Sequence, residues 1–181
     1  MDQTETALIQ RCQAGDKEAF GPIVRKYAGR AAGAAGVLLG CPHDAQDASQ
    51  EAFVRAWRNI RRFKPGYPFY PWYAAILRNI CRSRLRRRSR RKTVALADGH
   101  ASPASDGDPV LLAEQDERRQ HVYGALLTLK PAFREILVMK HFHDMAYKEM
   151  AEALGVPIGT VMSRLHNARQ ALRKVLEEDG S

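Results

Sequence analysis

The chain has 181 residues, 29 of them Lys or Arg and 20 Asp or Glu, for a formal charge of +9. That length allows one sizeable core or two small ones, and 45% hydrophobic with 27% charged residues excludes wholesale disorder. No run approaches the ~20 apolar residues of a membrane-spanning helix. The acidic start Met1-Asp2-Gln3-Thr4-Glu5 is not that of a signal peptide, and three scattered cysteines (Cys12, Cys41, Cys81) predict a reducing cytoplasm rather than a disulfide framework.

In chain order, Ala7, Leu8, Arg11 and Cys12 predict a short amphipathic helix that ends at Gly15. Asp16 is placed to cap a second helix through Phe20, Ile23, Val24 and Tyr27, with Pro22 expected to delay or bend it. The Ala/Gly-rich stretch Gly29–Gly40 carries little pattern. Asp44 is expected to cap a helix reaching about Ile60, whose inward stripe is Ala45, Ala48, Ala52, Phe53, Ala56, Trp57 and Ile60. Asp47, Gln50 and Glu51 share its other face. A further helix is expected over about Pro71–Arg87, with Trp72, Ala75, Ile76, Asn79 and Ile80 on one side. Helices at about Leu111–Leu129, Ala132–His141, Tyr147–Leu154 and Ile158–Leu176 complete the list. No lasting period of two appears, so the fold class expected is all-α.

The charge is divided unevenly. Residues 1–92 hold 19 basic and 7 acidic side chains, residues 93–115 hold 4 acidic and no basic ones, and residues 116–181 hold 10 and 9. The middle zone also carries Ser102, Pro103, Ser105, Gly107 and Pro109 without apolar period, which is the chemistry of a linker. Two folded units, residues 1–92 and 113–181, are therefore expected around a flexible acidic linker at 93–112. Nine of the fifteen residues Arg78–Lys92 are basic and none is acidic. Such a run suits a polyanion, because each neutralised phosphate releases counterions.

The most specific pattern lies near the end. Ala151 is small where two helices must cross closely, Gly155 can take positive φ, and Val161 seats the following helix on the first. Pro157 stands near that helix's start, and Met150, Leu154, Val156 and Leu165 fill the space around the turn. This is helix-turn-helix spacing, which places the second helix in a DNA major groove. Its exposed side offers Thr160, Ser163, Arg164, Asn167 and Gln170 to phosphates or base edges.

With these residues in view the chain resembles the extracytoplasmic-function sigma factors, the small two-domain specificity subunits of bacterial RNA polymerase. Gly159-Thr160-Val161-Met162-Ser163-Arg164-Leu165-His166 with Ala168-Arg169 is similar to the family's −35 signature, and Tyr147-Lys148-Glu149-Met150-Ala151 precedes it at the family's distance. Asp44-Ala45-Gln46-Asp47-Ala48-Ser49-Gln50-Glu51-Ala52-Phe53 with Arg55-Ala56-Trp57 resembles the polymerase-binding helix. Phe63-Lys64, Phe69, Trp72, Arg78 and Asn79 resemble the −10 element.

The resemblance implies a sigma region 2-like unit and a region 4-like helix-turn-helix unit. It implies that Asp47, Gln50 and Glu51 dock on the clamp helices of the largest polymerase subunit, and that the flap region is a further polymerase contact. It implies −10 recognition by Lys64, Tyr67, Phe69, Tyr70, Arg78, Asn79 and Arg82, where aromatics beside cations can capture an unstacked base at ~1–3 kcal/mol each. At −35 it implies Thr160, Met162, Ser163, Arg164, His166, Asn167 and Arg169. The sequence departs from the family where a base is frequent, at Met162 and Asn167, and its −10 loop is unusually proline-rich (Pro65, Pro68, Pro71). The expected partners are core polymerase, promoter DNA and an inhibitory anti-sigma factor, with no cofactor, metal or small-molecule substrate. Cytoplasmic localisation and absence of catalysis are expected with them.

Three other readings compete. His141, His143 and Asp144 suggest metal ligands, but residues two apart on a helix face different sides. A free-standing repressor would use the helix-turn-helix, usually as a dimer, and would not need the aromatic loop. A thiol sensor would be expected to show CxxC spacing, which these cysteines lack.

Overall fold

The computed structural model describes residues 3–64, 66–97 and 117–178. The described residues form helices α1 (Gln3–Gln13), α2 (Phe20–Leu39), α3 (Pro42–Asn59), α4 (Phe69–Ala97), α5 (Glu117–Thr128), α6 (Pro131–Leu137), α7 (Tyr147–Leu154) and α8 (Ile158–Glu178). A 3-10 turn, Ile60–Arg62, follows α3, and a π-helical turn, Val138–Phe142, continues α6. No strand occurs among them. Of the linker expected at 93–112, residues 93–97 instead continue helix α4, and residues 98–112 lie outside the described residues.

Helices α1–α4 make the N-terminal unit. Asp16 does cap the chain ahead of α2, its Oδ1 accepting from the amides of Glu18 and Ala19 at 3.0 and 3.3 Å. Gly29–Gly40, weak as a sequence signal, is instead the uninterrupted second half of α2 up to Leu39. Ala31, Ala34, Ala35 and Val37 are wholly buried there, so the small side chains serve close helix packing rather than a break. The helix stops at Gly40, whose φ of 69° only glycine adopts without strain. Asp44 is not the cap of α3: Cys41 holds that position and Pro42 opens the helix, leaving Asp44 in the first turn, where its charge suits the helix dipole.

Aromatic packing fills this unit. Phe69 lies against Phe20, Tyr27, Phe63, Trp72 and Tyr73, with ring centroids 5.7 to 6.3 Å apart. Buried Glu5 on α1 accepts from Tyr27 Oη at 2.6 Å and Lys26 Nζ at 2.7 Å on α2, and burial with this carboxylate pushes the Tyr27 phenol up to about 12. Helix α4 starts two residues earlier than the sequence pattern places it and runs ten further, to Ala97. Arg84 ties it to α3, donating to the Asp44 carbonyl at 3.1 Å and to Glu51 Oε2 at 3.0 Å.

Helices α5–α8 make the C-terminal unit. Gly155 ends α7 at φ 66°, and the Val156 amide returns to the Ala151 carbonyl at 3.1 Å. Val161, Leu165 and Ala168 of α8 are buried, with Met150 and Ile136 beside them in the same core. This is the turn expected from Ala151, Gly155 and Val161.

The two units touch. Residues of α2 and α4 meet α5, α6 and the π-helical turn, so one apolar core continues across both. No helix among the described residues is long and apolar enough to cross a membrane.

Candidate nucleic-acid and protein interface

Four large hydrophobic side chains stand exposed among the described residues: Val54 (49%), Tyr67 (66%), Ile158 (45%) and Met162 (53%). They fall on three separate surfaces, and each surface holds residues singled out from the sequence.

The first is the outer face of α3. Asp47 and Gln50 are exposed one helical turn apart, and Val54 extends their row. Asp47 meets only exposed His43, at 3.6 Å. Glu51 is different. It is bound by Arg84 at 3.0 Å and Arg55 at 2.6 Å, and these hydrogen bonds, Arg84's first, hold its carboxyl below the usual range. Glu51 thus joins α3 to α4 as well as lying beside the exposed row.

The second surface runs from Lys64 and the turn at residues 66–68 along α4. Gln13 fixes the base of this loop by donating to the carbonyls of Ile60 at 3.0 Å and Phe63 at 2.7 Å. Lys64 and Tyr67 project beyond it, and Gly66 takes φ 104°. Asn79 and Arg82 are exposed on α4 and share one stripe with Arg86 and Arg90, three to four residues apart. Three expected members do not reach this surface. Phe69 is wholly buried and Tyr70 is 3% exposed, both packed among rings of the core, so neither is available to stack on a base. Arg78 is covered by the C-terminal unit, with Nη1 3.8 Å from Met139 Sδ, and burial pulls its pKa down. A period that puts an aromatic beside a loop does not reveal which way the ring turns. Trp72, read as the likeliest core member, is only half-buried; Tyr73 is the wholly buried ring instead.

The third surface is the first half of α8. Met162, Ser163, His166, Asn167 and Arg169 are exposed, and Thr160 and Arg164 are half-buried along its edges. Ser163 Oγ is within 3.1 Å of the Thr160 carbonyl, and Arg169 lies 3.5 Å from His141. Ile158 was missed by the sequence reading, although it stands four residues before Met162 and therefore on the same side of the helix.

Elsewhere the chemistry is quiet. Burial raises the Cys12 thiol and pushes Cys81 up to about 12, so neither is a reactive thiolate. His141 points out while His143 is buried, and no cluster among the described residues could hold a metal ion.

Both units are similar to known proteins. Residues 23–91 match sigma-70 region 2 and residues 119–172 match sigma-70 region 4. The chain is 34% identical to the ECF RNA polymerase sigma factor SigE of Mycolicibacterium smegmatis, over 99% of this chain and 70% of that one. It is 32% identical to the ECF RNA polymerase sigma factor SigW of Bacillus subtilis, over 94% and 95%. The fold is similar to that of the sigma factor RpoE of Bartonella quintana, solved in complex with the anti-sigma factor NepR. The TM-score is 0.70 at 26% identity, over 87% of this chain and 96% of that one.

Proposed function

This chain belongs to the extracytoplasmic-function sigma factors, and from that premise we propose how its residues divide the work of promoter recognition. As a member of that family it binds bacterial core RNA polymerase, directs initiation at promoters through −10 and −35 elements, and is controlled by an anti-sigma factor. The observation that carries the division of roles is the placement of the four exposed hydrophobic side chains on three surfaces.

Residues 1–92 hold core polymerase and the −10 element. The α3 row of Asp47, Gln50 and Val54 faces the clamp helices: a carboxylate beside an apolar side chain suits a basic protein helix and repels phosphate. Glu51 stands behind them, positioned by its two arginines. Tyr67 captures a base of the opened strand, with Lys64, Asn79 and Arg82 on the backbone. Arg78 joins them once uncovered. Residues 98–112 link the units, helix α4 having taken up residues 93–97. Residues 113–181 read −35, with Thr160, Ser163, Arg164, His166, Asn167 and Arg169 on phosphates and base edges. Met162 and Ile158 present an apolar surface to thymine 5-methyl groups. No residue takes a catalytic role, and the protein works in the cytoplasm.

Incubation with purified bacterial core polymerase, followed by run-off transcription from genomic fragments, tests this. Association with discrete starts is expected; tight duplex binding by the protein alone, without polymerase association, would favour a repressor. Tyr67→Ala is expected to lower −10 opening about tenfold, read as permanganate reactivity of thymines, with a nearly unchanged melting temperature because the residue is 66% exposed. Gln13→Ala removes two hydrogen bonds from the loop's base. It should cost about 1–2 kcal/mol in thermal unfolding and impair opening without weakening polymerase association.

A further inference from the structure

Seven buried side-chain nitrogen and oxygen atoms among the described residues have no hydrogen-bond partner: Tyr70 Oη, Arg78 Nε, Tyr123 Oη, Arg134 Nε, Glu135 Oε1 and both ring nitrogens of His143. All seven lie where the two units meet. The Tyr70 and His143 rings are 5.7 Å apart. The side chain of Arg78 rests on Met139, and that of Arg134 reaches only the Val37 carbonyl, at 3.5 Å. Glu135 stands 3.8 Å from Arg82, beyond hydrogen-bond length. A β-carbon on Gly36 would fall 2.8 Å from Tyr123 Oη.

The backbone that delivers these groups is itself unusual. The π-helical turn widens the end of α6, and Asp144 is the one non-glycine at positive φ (55°) among the described residues. Together they turn His143 into the N-terminal unit and bring the Phe142 carbonyl onto Arg30, which also pairs with Asp144 at 3.6 Å. Phe142 itself lies on Gly33, 3.4 Å from where a β-carbon would stand. A close apolar contact is thus set against buried polar atoms left without hydrogen bonds, each of which costs stability. Among the described residues, no other buried side-chain nitrogen or oxygen in either unit lacks a hydrogen bond. A contact with this balance holds weakly and opens readily.

We infer that residues 138–144 are a clasp that docks the C-terminal unit on α2 and α4 in the free chain, covering Arg78, and that nucleic acid on α4 and the closed clasp exclude one another. This rests on α4 as the DNA-facing helix. Arg78 cannot lie under Met139 and also meet a phosphate, and Arg82 is drawn toward Glu135 in the same closed form. Opening frees both arginines, so DNA and separation of the units favour each other.

The full chain with Gly33→Gln and Gly36→Gln tests the clasp. Both substitutions improve α2's helix propensity, leave the net charge alone, and place side chains where Phe142 and Tyr123 sit. Small-angle X-ray scattering of the wild type should show one closed particle and that of the variant a larger radius, with equal helical content. The variant should bind a fluorescent mixed-sequence DNA strand of about 20 nucleotides roughly tenfold more tightly at one ionic strength. His143→Leu, which removes two of the unpaired atoms, should do the reverse, staying closed and binding several-fold more weakly. A wild type already separated in solution, or a strand affinity unmoved by both sets of substitutions, would overturn the clasp. Neither result depends on polymerase, so failure of the clasp and failure of the sigma reading are told apart by the polymerase association experiment.

Discussion

Reversing the exposed row of α3, with Asp47→Lys and Gln50→Lys together, should lower affinity for core polymerase at least a hundredfold and leave the melting temperature within a degree or two. The size follows from turning an attractive contact into a repulsive one: a carboxylate lost from an interface with a basic partner, and two ammoniums gained, cost several kcal/mol. The unchanged stability follows from the geometry, since Asp47 has only a 3.6 Å approach to exposed His43 and Gln50 stands in water. Glu51→Lys would be a poorer probe. It would break the hydrogen bond from Arg84 that fastens α4 to α3, and would lower stability and docking together. Native-gel association and a thermal melt of the double variant check this; normal association in a folded protein would remove α3 from the polymerase interface.

Acidification should open the contact between the units. His143 is held neutral, its pKa lowered to about 4, first by burial and then by the charge of Arg30 on α2 and of Arg78 on α4. Tyr70 of α4 also faces the ring, and on its own segment Asp144 engages Arg30. A histidine exposed to water titrates near 6.5, so the closed form binds fewer protons than the open one between these values. Its stability is therefore full above about pH 6.5, falls as pH decreases, and has lost about 3 kcal/mol by pH 4. Scattering at pH 7.5, 6, 5 and 4.5 should show the radius growing, and His143→Leu should flatten that response. A wild-type radius that stays constant down to pH 4.5 in a folded protein would show that His143 remains neutral in water-free surroundings in every state.

Much of this molecule is legible in its sequence, and the exceptions share a cause. The helix-turn-helix could be read because Ala151, Gly155 and Val161 each answer a local steric demand at a fixed spacing. The exposure of Asp47 and Gln50 could be read because α3 has a clean apolar stripe opposite them. Phe69 and Tyr70 are assigned to the −10 surface by resemblance but lie in the core, since an aromatic at a loop–helix junction satisfies core and surface patterns equally well; the positions of Phe20 and Tyr27, more than forty residues away, decide it. The Ala/Gly stretch of α2 carries little readable pattern because its periodicity is one of size, not hydropathy. Arg84 was indistinguishable within a run of arginines, although it alone reaches across to the Asp44 carbonyl and Glu51. The contact between the units left no trace in either unit's own pattern, since neither needs the other to complete a helix.

Gly36 has a meaning for how such proteins can be recombined. Its missing side chain makes room for a hydroxyl that belongs to a different unit, more than eighty residues along the chain. The two halves are therefore fitted to each other, not only to their separate targets. A chimera joining this N-terminal unit to the C-terminal unit of a relative would keep both binding surfaces. It would keep the fit of ring to glycine only where that relative carries a matching ring, so modular exchange can conserve recognition while altering how often the free protein is available to recognise anything.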